Sequence, residues 1–219
     1  MRDALLLGRL QPGQKMTNRQ LATAMDVSVT PVREALQRLV TEHVLRMLPN
    51  GSVVVPVFTE ADVAELHMVT KSLEVLAARL GLEQAGSTLL DQIGTQREKL
   101  KAAYQNDDWS VVIEANYGLH FRLYEQAASP YLLSLIEQLW MRKGPHYPAF
   151  FKIHYEKNRG AFLENILDAF KRNDLDGAVA EFEALIDSEF NAWIALIKTS
   201  TPLQIHDGPI EGAVFDRKP

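Results

Sequence analysis

The chain contains no cysteine. That excludes disulfides and thiolate metal sites, and it fits a reducing compartment. No apolar run approaches the roughly 18–20 residues that a membrane span needs. The N-terminal ALLLG is shorter than the about 7–15 apolar residues of a signal-peptide core. The expectation is a soluble, cytoplasmic protein with no membrane partner. There is no internal repeat and no low-complexity tract. Ser/His/Asp, glycine-rich phosphate-loop and paired-carboxylate arrangements are also missing, which argues against an enzyme. Tryptophan is scarce, and Trp109, Trp140 and Trp193 all fall in helical patterns, where core or dimer packing is the expected role.

What is present suffices for a packed core, with 47% hydrophobic residues in a chain of 219. The net charge of −5 is unevenly spread. Up to Val57 there are seven basic against four acidic residues, and beyond it sixteen against twenty-four. A basic head on an acidic body is the split expected when the head alone meets nucleic acid.

The head reads as short elements in sequence. Residues 2–9 suit a short helix ended by LQPGQ. Thr17 and Gln20 form a capping box that opens a second helix. DVS interrupts, and Ser28 or Thr30 caps a third helix carrying the stretch VSVTPVREALQRL. Pro31 falls in its first turn, where the missing N–H has no intrahelical partner to lose. Val32, Leu36, Leu39 and Val40 then make one buried stripe. Asn50-Gly51, between two apolar runs, signals a hairpin. Helix, helix, turn, helix and hairpin together predict a winged helix-turn-helix with a small β-hairpin wing over residues 1–57.

Thr59 caps the next helix, with acids in its first turn. Helical spacing continues over about 60–84, 88–104, 109–127, 130–142, 158–172 and 175–197. Asp107-Asp108 reads as helix-start chemistry. No strand is expected after Val57, so the fold class is mainly α, with an all-helical bundle over 58–199. GPHYPAFFKIHYEKN is the least regular stretch. Residues 200–219, rich in proline, glycine and aspartate, are expected to form a flexible tail.

The third helix is placed to enter a major groove with its first turns, where its N–H groups also favour phosphate. Ser28 and Thr30 reach phosphate oxygens there. Arg33, one turn in, is placed to fork onto a guanine edge. Arg38 either touches the DNA backbone or pairs with an acid. Arg19 suits a backbone contact, and Gly51 lets the wing tip approach the minor groove. For Arg33 and Glu34 the competing reading is a solvated helix face with local salt bridges.

These residues carry a family resemblance. GRLQPGQKMTNRQLATAMDVSVTPVREALQRLVTEHVL resembles the DNA-binding head of the GntR family of bacterial transcription regulators. The body, with EADVAEL, NYGLHFRLYEQAASPYL and ILDAFKRNDLDGAV in order, resembles the FCD domain of the FadR-like branch. The resemblance implies a homodimer on near-palindromic operator DNA, with a small effector in the body altering DNA affinity. Repression is the commoner outcome in the family. Two departures lie in the head: Val29 stands where family members commonly carry arginine, and the first helix is about one turn shorter than usual. The native chain is therefore expected either to extend further at its N-terminus or to have a less stable head.

A third departure lies in the body. Many FCD domains hold a divalent metal with one Asp or Asn and three His. The resemblance puts Asn116 and His120 at the first two ligand positions, on one helix face. It puts Leu163 and Leu185 at the other two, and leucine cannot ligate a metal. His146 and His154 lie in the irregular segment, and no spacing assigns them to the site. Thr70 stands where FCD pockets often place an arginine. The expectation is an effector pocket of Thr70, Asn116, His120, Leu163 and Leu185, without metal or other cofactor. Its effector is expected to be more apolar than a dicarboxylate, or to bear an amide or hydroxyl. The competing reading is a packed core around a hydrogen-bonded histidine. At the level of the whole chain, the alternatives to a regulator are a protein-interaction module built on the winged helix and a helical metal hydrolase using Asn116 and His120.

Overall fold

The computed structural model describes residues 1–154, 159–199, 203–208, 210 and 215. The elements run α1 (Arg2–Leu6), β1 (Gln14–Met16), α2 (Asn18–Ala24), α3 (Val29–Thr41), β2 (Arg46–Met47), β3 (Val53–Val54), α4 (Glu60–Glu83), α5 (Ser87–Gln105) and α6 (Trp109–Glu125). They continue with α7 (Pro130–Lys143), a 3₁₀ turn (Gly144–His146), α8 (Tyr147–His154), α9 (Arg159–Lys171), α10 (Leu175–Thr199) and β4 (His206–Asp207). No helix among the described residues is long and apolar enough to cross a membrane. The chain divides into two compact units.

The first unit comprises Met1–Phe58, Gln138–Tyr147 and Thr201–Pro219. The Thr17–Gln20 capping box opens α2 as its spacing predicts. At the end of α2, Asp26 takes a left-handed conformation, Asp26 N–H donates to Thr23 and Val27 N–H to Ala22. This Schellman closure turns the chain sharply into α3. Val32, Leu36 and Leu39 are buried, the stripe read from the sequence. The hairpin closes through a three-residue loop: Gly51 N–H donates to Leu48 C=O at 2.9 Å and Leu48 N–H to Ser52 C=O at 2.8 Å. Gly51 at φ +81° supplies the left-handed residue that such a loop requires.

The sheet has the order β2-β3-β1-β4. β1 pairs antiparallel with β3 (Lys15 opposite Val54) and parallel with β4 (Gln14 opposite His206). The sequence pattern predicts neither β1 nor β4. Part of the segment expected to be a flexible tail is thus a strand on this sheet. Gly13 lies so close to it that a Cβ would sit 2.4 Å from the Gln204 carbonyl oxygen.

Residues 138–147 also belong to this unit, although their position in the chain suggests the helical body. Arg142 Nη2 donates to the Glu42 carbonyl at 2.8 Å. Gly144 lies against α1, where a Cβ would be 2.1 Å from the Leu5 carbonyl oxygen. His146 is buried and stacks on Phe58 with ring centroids 4.7 Å apart. Trp140 is buried here too, edge-on to Tyr147, in a packing role.

The second unit, Thr59–Glu137 with Pro148–Ser200, is helical. Thr59 caps α4 with Asp62 in a capping box, and Asp108 caps α6 by accepting from Val111 N–H at 3.1 Å. α4 packs on α6 and α10, α5 on α6, and α9 on α10. α4 and α6 approach closely because Gly81 has no side chain: a Cβ there would lie 2.2 Å from the Leu123 carbonyl oxygen. The irregular stretch after α7 forms the 3₁₀ turn and α8 up to His154, and residues 155–158 lie outside the described residues.

Candidate functional site

The front of α3 is a polar, solvent-facing edge. Val29, Thr30, Arg33, Glu34, Gln37 and Arg38 are all exposed. Ser28 is the N-cap, yet its side chain makes no capping hydrogen bond. Pro31 removes one of its two usual donors: an N-cap hydroxyl accepts from the second or third helical N–H, and proline at the third position has none. The Ser28 hydroxyl stays available beside the first free N–H groups of the helix, an arrangement that suits a phosphate oxygen. Arg33 and Glu34 are exposed and make no hydrogen bond or ion pair among the described residues. Arg38 follows the second of its two readings, with Nε 2.7 Å from Glu42 Oε1. Arg19 is exposed at the front of α2. Gly51 is exposed at the hairpin tip, and a Cβ there would meet nothing within 4 Å. Val29, where the resemblance leads one to expect arginine, is 45% exposed.

The helical unit contains a buried polar centre. Thr70 and Glu74 lie one turn apart on α4, and Asn116, His120 and Tyr124 succeed one another at one-turn steps on α6. All five are at most 2% exposed. The Tyr124 hydroxyl donates to Glu74 Oε2 at 2.8 Å, and His120 Nδ1 lies 2.9 Å from the same hydroxyl. With the tyrosine proton committed to Glu74, the His120–Tyr124 bond requires Nδ1–H as donor. Phe182 on α10 presents itself edge-on to the His120 ring, with centroids 5.6 Å apart, and also meets Tyr124 at 6.1 Å. Leu185, one turn further along α10, is buried. Thr70 Oγ1 and Asn116 Nδ2 are buried without a hydrogen-bond partner among the described residues.

Of the five pocket residues expected from the sequence, Thr70, Asn116, His120 and Leu185 lie on buried faces of these three packed helices. The Leu163 side chain lies outside the described residues, as does that of His154. His146 belongs to the other unit. Glu74, Tyr124 and Phe182 join the centre without having been expected there. Continuing the four-residue step from Thr70 and from His120 reaches Glu74 and Tyr124, but no local signal links Phe182 to them.

The donor set does not fit a divalent metal. Asn116 and His120 share a face, but Leu185, standing in a third position, has no donor atom. Among the described residues no three histidine or acidic side chains converge as metal ligands.

Comparison with known proteins matches residues 1–55 to the family described as bacterial regulatory proteins, gntR family, and residues 65–188 to the FCD domain. The HTH-type transcriptional regulator McbR of Escherichia coli (strain K12) is 31% identical over 185 residues, 81% of this chain and 81% of that protein. A solved structure of E. coli McbR/YncC superposes with a TM-score of 0.78 at 28% identity, covering 90% of this chain and 92% of that one. The gluconate operon transcriptional repressor of Bacillus licheniformis is 28% identical over 100 residues, 46% of this chain and 39% of that protein.

Proposed function

The chain belongs to the GntR family of bacterial regulatory proteins, in the branch that carries an FCD domain, and is a DNA-binding transcription regulator; from that premise we propose that it acts as a cytoplasmic homodimeric repressor on a near-palindromic operator. A small molecule held in the helical unit changes the operator affinity. By linkage, that change equals the differential affinity of the effector for the DNA-bound and DNA-free states.

The observation that carries the reading is the front of α3. Arg33 is exposed and unpaired among the described residues, one turn behind a Ser28 hydroxyl that makes no capping hydrogen bond. Arg33 reads base edges, Ser28, Thr30 and Arg19 hold phosphates, and the Gly51 tip follows the groove. Arg38, tied to Glu42, contributes through that pair to the shape of the helix face.

The test is selection of bound fragments from a random DNA pool at physiological salt, with the wild type and Arg33→Ala. The wild type enriches a short inverted repeat. Arg33→Ala binds that repeat more weakly by roughly 1–3 kcal/mol and accepts more sequences. Equal enrichment by both proteins removes Arg33 from the readout.

A second reading, a winged helix that docks on another protein, has one observation in its favour. Val27 and Val29 put exposed apolar surface at the start of α3. Binding to DNA falls steeply with salt, whereas an apolar protein contact does not, and titration with salt separates the two.

A further inference from the structure

Resting on the reading of the helical unit as the effector-binding half, we infer that the centre formed by α4, α6 and α10 takes a small uncharged molecule bearing a carbonyl or hydroxyl oxygen, without any metal ion. Two buried polar atoms carry this. Thr70 Oγ1 and Asn116 Nδ2 have no hydrogen-bond partner among the described residues, although each residue is 2% exposed. Each sits one turn from a member of the Glu74–Tyr124–His120 chain, on the same buried helix face. Burying an unsatisfied donor or hydroxyl is unfavourable, and valine and leucine would fill the same volumes without that penalty. A polar group kept under such a penalty is one that a bound water or a ligand satisfies, and the apolar wall beside these two favours a ligand.

The chemistry of the ligand follows from what surrounds these atoms. Asn116 Nδ2 only donates, so its complement is an acceptor oxygen. The Thr70 hydroxyl donates or accepts, which admits an amide, a ketone or an alcohol. A carboxylate is excluded by charge. Among the described residues the buried polar side chains of this centre are Thr70, Glu74, Asn116, His120 and Tyr124, with no lysine or arginine. An anionic ligand would bring a second carboxyl group beside Glu74 in a low-dielectric interior. Lys71, the neighbour of Thr70 in sequence, is held by Glu183 at 2.8 Å and Asp187 at 2.9 Å. Against a metal, Leu185 supplies no ligand, and among the described residues no three histidine, cysteine or acidic side chains converge. Phe182 and Leu185 provide an apolar wall, which suits the hydrocarbon part of such a molecule.

The experiment is thermal unfolding of the full chain with matched probes: hexanamide, octanamide, 1-hexanol, 1-octanol, hexanoate, hexylammonium, and zinc or manganese chloride alone. The amides or alcohols raise the melting temperature in proportion to the logarithm of their concentration, as binding to the folded state alone requires. Hexanoate, hexylammonium and the metal ions leave it unchanged. Asn116→Leu and Thr70→Val each raise the melting temperature of the unliganded protein and abolish the response to the amide or alcohol. A residue serving only the fold would lower stability when replaced. The proposal is overturned by an equal shift with hexanoate or a metal, by no shift with any amide or alcohol, or by both variants melting earlier than the wild type. Binding to the selected operator is measured on the same samples. Intact operator binding without an amide or alcohol response overturns the ligand class and leaves the regulator. A clear amide response in a protein that selects no DNA sequence overturns the regulator reading and leaves the site.

Discussion

The Tyr124 hydroxyl donates to Glu74 Oε2 at 2.8 Å, joining α6 to α4 between residues fifty positions apart in the chain. Both side chains are 1% exposed, so neither exchanges this bond for water. Tyr124→Phe removes the donor and leaves the ring in place. The expected loss is about 1–3 kcal/mol, the desolvation penalty of a buried acceptor left without its partner. Tyr124→Phe combined with Glu74→Leu is expected to lose less than the two single changes together. A double-mutant cycle by urea unfolding measures that coupling, and strictly additive losses would mean that the bond contributes nothing.

Gly81 sets how closely α4 and α6 approach. Alanine is the better helix former by up to about 1 kcal/mol. Here its Cβ would lie 2.2 Å from a backbone oxygen of Leu123, an atom that cannot rotate away. Overpacking of this kind costs roughly 1–3 kcal/mol or more, so Gly81→Ala is expected to destabilise despite its helix propensity. The urea midpoint falls while the m-value stays constant. A midpoint at or above that of the wild type would show that the helices separate freely.

His146 makes the first unit sensitive to acid. Burial lowers its pKa from 6.5 to about 4, against the opposing effect of a hydrogen bond to the Pro56 backbone. The folded state therefore favours the neutral ring, and the unfolded state binds the proton first. Stability is complete above pH 6.5 and declines as the pH falls through the interval to about 4. The loss attributable to this residue is roughly 3 kcal/mol at the lower end. His146→Phe retains a ring against Phe58 and is expected to flatten the stability profile across that interval. Melting curves at intervals of pH compare the two proteins. Parallel profiles would assign the acid sensitivity to carboxylates.

β4 holds to β1 through its backbone more than through its charges. Lys15 and Asp207 form an ion pair at 2.9 Å, but the Asp207 side chain is 74% exposed. Asp207→Ala is expected to change stability by less than about 0.5 kcal/mol. His206 N–H donates to the Gly13 carbonyl at 2.9 Å. His206→Pro removes that donor, costs about 1 kcal/mol and speeds amide exchange in Gln14–Met16. Unchanged exchange in His206→Pro would show that β1 is protected without β4.

The features legible in the sequence are those encoded within a few residues. The Thr17–Gln20 box, the Thr59 and Asp108 caps, Pro31 in the first turn of α3 and the Asn50-Gly51 turn all stand where the sequence places them. Each depends on groups at most a turn apart. The buried stripe of α3 and the shared face of Asn116 and His120 are legible because helical periodicity fixes both. The exposed front of α3 follows from the same period once the buried side is known.

Tertiary structure alone decided the rest. β1 and β4 are two or three residues long, too short to show the alternation that marks a strand, and only pairing defines them. Residues 138–143 carry an ordinary helical pattern and 144–147 open the irregular stretch, and nothing local tells which unit will bury Trp140 or His146. The sequence explains the uncapped Ser28 hydroxyl only in part, since Pro31 removes one of its two usual donors and Thr30 N–H remains. It does not explain the unsatisfied Thr70 and Asn116, because whether a buried polar atom finds a partner depends on residues brought to it from distant helices. Local bonding geometry therefore determined the elements and the solvent-facing edge of α3. Non-local packing determined the membership of the units and the polar centre buried between α4, α6 and α10.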